Sequence, residues 1–150
     1  MPGDPFMGQL RRLAGKDPRV HLMGRYHQKD LPDILSGIDL IVIPSLWHET
    51  FSIVAREALL SGTPVVAFEI GALPEIIDDG QNGLLVPVGD LNALHDALHS
   101  LSTDHNLLAR LREGALESAK RIKDMEEHVG EVDLIYESLM SRTKGSATAT

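Results

Sequence analysis

The sequence predicts an α/β fold: a Rossmann-like parallel sheet with helices on both faces. Three observations point there. Short apolar runs recur along the chain, each apolar on both faces, as in strands buried on both sides. Each run is bounded by Gly or Pro. Segments with helical periodicity lie between the runs, and strand–helix alternation is the signature of a parallel sheet covered on both faces.

The predicted strands are Val20–Met23 before Gly24, Leu40–Ile43 before Pro44, Pro64–Phe68 after Gly62-Thr63, and Gly83–Val86 before Pro87. A helix is expected over Leu31–Ser36, with Asp30 as N-cap and Pro32 in its first turn. The next, Phe51–Ser61, stops before Gly62. Leu91–Leu101 starts behind Asp90 and aligns Leu91, Leu94, Leu98 and Leu101. A further helix covers about Asp104–Lys120, and the last carries Met125, Val129, Val132, Tyr136 and Leu139. One domain is expected over residues 1–144, followed by a disordered tail, Gly145–Thr150.

Composition narrows the chemistry. The 150 residues carry 22 acidic and 14 basic side chains, a formal charge of −8. That balance argues against a nucleic-acid partner, whose phosphates need Lys and Arg. With no cysteine, disulfides and thiolate chemistry are excluded. No apolar run approaches the about 20 residues of a membrane span, and Met1–Pro5 does not resemble a signal peptide. A cytoplasmic location is the expectation, with any membrane association peripheral.

In open α/β sheets ligands bind beyond the carboxyl ends of strands. The informative segments are therefore Gly24–Gln28, Pro44–Ser52 and Glu69–Leu73. In the second, a strand ends at Pro44-Ser45, a polar loop carries Glu49 and Thr50, and a helix begins at Phe51-Ser52-Ile53-Val54. The first amides of a helix lack intrahelical partners and, with the helix dipole, favour an anion such as a diphosphate. Glu57 shares an apolar stripe with Val54 and Ile53. An inward carboxylate needs hydrogen-bond donors; a ribose diol supplies two, and a basic residue of the chain is the alternative. Glu49 either accepts from sugar hydroxyls or faces solvent.

The same residues carry a family resemblance. Glu49 and Glu57 are spaced as in the Glu-x7-Glu motif of glycosyltransferase family four. Pro44-Ser45 precedes the motif, and Glu57-Ala58, Gly62–Ala67, Pro74–Val86 and Gly89-Asp90 follow it in the family's order; Arg19–Gly24 and Gly37–Leu40 match upstream. The similarity runs from about Asp17 to Leu101 and resembles the C-terminal, donor-binding domain of a retaining GT-B enzyme. It implies that Glu57 binds the donor ribose and that Glu49, the candidate catalytic residue, contacts the transferred sugar. The amides of Phe51, Ser52, Ile53 and Val54 then face sugar and diphosphate, while Gly24, Arg25 and Tyr26 border the base. It implies a nucleoside-diphosphate sugar as partner and neither metal nor other cofactor.

Two departures stand out. The family's Gly-Phe-Gly reads Thr50-Phe51-Ser52 here, with Ser52 expected to cap the helix, and its Gly-Gly reads Gly71-Ala72. The resemblance also implies an acceptor-binding N-terminal domain and two strand–helix units that the chain lacks. The expectations are weak donor binding without transfer, and a homo-oligomer formed through an exposed sheet edge or collapse of the Val20 strand onto a new neighbour. The rival readings are a donor-binding subunit that needs a separate acceptor-binding chain, a GT-B epimerase or phosphorylase, and a remnant that binds nothing. His95 and His99, four apart, are read as a solvated helix face rather than a metal site, and Asp78–Gly83 as a turn.

Overall fold

The computed structural model describes residues 5–15, 17–122 and 125–146. The chain divides into two compact units, Met1–Ile34 and Leu35–Thr150. In the first, helix α1 (Pro5–Ala14) ends at Gly15, whose φ is +60°, and Asp17 pairs with Arg19 at 2.7 Å. A single 3-10 turn, Gln28–Asp30, leads into helix α2 (Leu31–Ser36).

Val20–Met23 forms no strand, contrary to expectation. Its side chains are exposed, Met23 at 87%. An extended apolar segment becomes a strand only when a hydrogen-bonded neighbour completes its ladder.

The second unit holds a three-stranded parallel sheet in the order β1–β2–β3: β1 (Ile41–Ile43), β2 (Val65–Phe68) and β3 (Gly83–Val86). The register sets Ile41 opposite Val65 and Val65 opposite Gly83. All four residues of β2 are buried, as a central parallel strand requires. Helix α3 (Ile53–Leu60) connects β1 to β2, and the short helix α4 (Leu73–Ile76), which the sequence pattern did not suggest, precedes β3. Helices α5 (Leu91–Thr103), α6 (His105–Ala119) and α7 (Met125–Ser146) follow.

Alternation along β2 divides the core. Val65 and Ala67 pack with Ala55, Ala58 and Leu59 of α3 and with Leu73 and Ile77. Val66 turns the other way, onto Leu94, Leu98 and Leu101 of α5. Helix α6 contributes Ala115 to the first cluster and Leu111 to the second. Helices therefore lie on both faces of the sheet, as predicted.

Asp90 and Asp104 cap α5 and α6, each carboxylate oxygen accepting from two first-turn amides at 2.9 to 3.0 Å. The expected turn at Asp78–Gly83 is present, closed by Gln81 N–H donating to the Asp78 carbonyl. Helix α7 runs through Ser146, so it includes Gly145 and Ser146 of the expected tail; residues 147–150 lie outside the described residues. The exposed side chains of α7 include Val129, Tyr136 and Leu139, and the side chain of Met125 lies outside those described. Among the described residues no helix is long and apolar enough to cross a membrane.

Candidate functional site

Strand β1 ends at Ile43 because Pro44 has no amide to continue the ladder. The loop from Pro44 to Ser52 then leads into α3. Because β1 and β2 are parallel neighbours, this loop and the one after β2 leave the same end of the sheet.

Glu49 is fixed at three points. Ser45 Oγ donates to Glu49 Oε1 at 2.7 Å, the length of a charge-assisted bond. The Glu49 carbonyl accepts from the Ala72 amide at 2.7 Å. Gly71, with φ +59°, lies directly against the Glu49 backbone: a Cβ there would stand 2.6 Å from the Glu49 nitrogen and closer still to its oxygen. Only glycine fits both that conformation and that approach.

Ser52 precedes α3 with φ 49° and ψ 74°, the one non-glycine residue in the left-handed region among the described residues. Its side chain is buried and makes no capping bond, which corrects the expected capping role. A serine in the left-handed region projects its Cβ differently from the extended conformation of a capping residue. The Ser52 carbonyl accepts the Arg56 amide at 3.2 Å, so the amides of Ile53, Val54 and Ala55 have no intrahelical partner. Unlike α5 and α6, α3 begins with its positive end uncapped.

That end opens on a cavity of about 600 Å³, within the range of small-molecule sites. Eight predicted residues line it: Pro44, Ser45, Glu49, Thr50, Phe51, Ser52, Ile53 and Val54. Val42 and Ile43 also line it; they were not predicted, although the end of a parallel strand is where a ligand sits. Among the described residues Glu49 is the one ionisable group lining it, with no Lys or Arg beside it. Arg56 stands near, its Cζ 4.0 Å from the Phe51 ring centroid and its Nε donating to the Phe51 carbonyl at 3.1 Å.

Glu57, half-buried on α3, is not among the cavity-lining residues. Gly24, Arg25 and Tyr26 belong to the first unit, where all three are exposed and Gly24 has φ +74°. His95 and His99 stack with centroids 6.0 Å apart, and His95 Nδ1 lies 3.1 Å from Asp96 on an exposed face of α5.

Residues 2–104 match the family described as Glycosyl transferases group 1. A D-inositol 3-phosphate glycosyltransferase of Corynebacterium kroppenstedtii is 40% identical over 112 residues, which are 75% of this chain and 25% of that protein. Sucrose-phosphate synthase of Thermosynechococcus elongatus superposes with TM-score 0.80 at 28% identity, covering 91% of this chain and 34% of that one. HepE of Anabaena, solved with UDP-glucose, superposes with TM-score 0.74 at 29% identity, covering 91% and 36%. The chain thus spans about a quarter to a third of these relatives. With its parallel sheet, its covering helices and this match, the chain belongs to the group 1 glycosyltransferases and has the Rossmann-like architecture of its GT-B neighbours.

Proposed function

We propose that the chain is a donor-binding domain of a retaining, family-four glycosyltransferase, and that its cavity takes a nucleoside-diphosphate sugar. The observation that carries this reading is the uncapped start of α3, opening on a cavity with Glu49 held at its wall. Three amides without intrahelical partners and the positive end of a dipole suit a diphosphate. As the sugar–phosphate bond breaks, negative charge grows on the departing diphosphate, and amides already oriented toward it stabilise that charge without reorganising. Glu49 accepts hydrogen bonds from the transferred sugar, and Glu57 holds the ribose. HepE's complex with UDP-glucose makes uridine the first base to test.

Among the described residues no Lys or Arg lines the cavity, which favours a second feature of this reading. Helix amides alone offset a diphosphate's charge incompletely, so these 150 residues bind donor weakly and transfer no sugar by themselves. The acceptor site and further cationic groups come from polypeptide outside them, in the same chain or as a partner subunit, in the cytoplasm. No metal or other cofactor enters this scheme.

Titration calorimetry with UDP, GDP and ADP tests the proposal. One of the three binds the wild-type chain, and Glu57→Ala abolishes that binding. Failure of all three to bind, or full affinity in Glu57→Ala, overturns it.

A further inference from the structure

The donor reading leaves open what aims Glu49. A free glutamate side chain samples many rotamers, and each wrong one removes a contact that a ligand needs. Here the carboxylate is tied through Oε1 to Ser45, while Oε2 has no partner among the described residues. The backbone of the same residue is held by the loop after β2, through the Ala72 amide and the close approach of Gly71. The two restraints come from different loops at one end of the sheet. Together they define where Glu49 stands and which oxygen it presents.

We propose that Ser45 and Gly71 are positioning residues for Glu49: Ser45 occupies Oε1 so that Oε2 faces the transferred sugar, and Gly71 lets the β2 loop brace the Glu49 backbone. This rests on the donor reading and deepens it. The role of Ser45 is to orient another side chain rather than to touch the nucleotide. The role of Gly71 is to be small, because any Cβ displaces the residue it supports.

Calorimetry with UDP and UDP-glucose on the wild-type chain, Ser45→Ala, Ser45→Thr and Gly71→Ala separates the outcomes. Ser45→Ala lowers affinity for UDP-glucose about five- to tenfold, the effect of one lost hydrogen bond, and lowers UDP affinity by less. Ser45→Thr, which keeps the hydroxyl, restores the wild-type ratio. Gly71→Ala shows the same selective loss, and NMR of the ligand-free chain shows the Glu49 amide resonance moved in Gly71→Ala and its side-chain carboxylate carbon moved in Ser45→Ala. Should Gly71→Ala not fold, the Ser45 pair decides alone. An equal loss for UDP and UDP-glucose in Ser45→Ala makes Ser45 a direct nucleotide contact and overturns the positioning role, as does an unchanged ratio. Failure of the wild-type chain to bind either ligand overturns the donor reading and this proposal with it.

Discussion

Asn82 and Ser118, thirty-six positions apart, are joined in the interior by a 2.9 Å hydrogen bond from Asn82 Nδ2 to Ser118 Oγ. Asn82 is fully buried, and its amide also donates to the Ile76 carbonyl and accepts from the Asp78 amide. The side chain ties the turn before β3 to α6. Gly114 allows the fit, because a Cβ there would stand 2.7 Å from the Gln81 carbonyl carbon. Asn82→Ala should destabilise the fold by about 2–3 kcal/mol, since it leaves several buried polar groups without partners. Urea unfolding should show a lower midpoint at unchanged slope. A loss no greater than that of an exposed substitution contradicts this.

Ser52 is strained. A left-handed backbone costs a non-glycine residue about 1–2 kcal/mol, while glycine's greater freedom in the unfolded chain returns about 0.4–1 kcal/mol of that. Ser52→Gly should therefore stabilise by about 0.5–1 kcal/mol, seen as a higher thermal midpoint. A fall in midpoint shows that the buried serine makes interactions worth more than its strain.

Strand β1 pairs with β2 alone among the described residues, so its other edge has no strand partner there. The chain should self-associate through that edge as concentration rises. Val42→Lys, which places a charge on this strand, should shift sedimentation toward the monomer. A wild-type chain that stays monomeric at all concentrations refutes it.

Acid titration offers a smaller, signed effect. The hydrogen bond and charge of Lys120 hold the Glu117 carboxylate below its ordinary value. A carboxylate lowered in the folded state stabilises above its unfolded pKa, and that contribution is lost as pH falls through the folded value. The stability difference between the wild-type chain and Glu117→Gln should be present at neutral pH and vanish in strong acid. Because the pair is exposed, added salt should shrink it.

What the sequence disclosed follows from locality. Pro64–Phe68 was readable as a central strand because a run apolar at every position suits burial on both faces, and β2 is buried throughout. Asp90 was readable as a cap because capping involves only its own first turn. Val20–Met23 misled because a strand also needs a neighbour, which the segment does not itself specify. Of the site, the loop and the helix start were legible as one continuous stretch. The brace by Gly71 was not, since it joins residues twenty-two positions apart in sequence that meet only once the sheet has formed. The strain at Ser52 had one hint: serine stands where the resembling family has glycine.

Between the two anchored positions Ser45 and Glu49 lie Leu46, Trp47 and His48, all exposed, with Trp47 at 84%. A bridge pinned at both ends and free in its span behaves as a replaceable cassette. Libraries confined to those three codons would vary the exposed span of the loop while the interior and the glutamate stay where they are, so substitutions there should be accepted without a matching loss of folding.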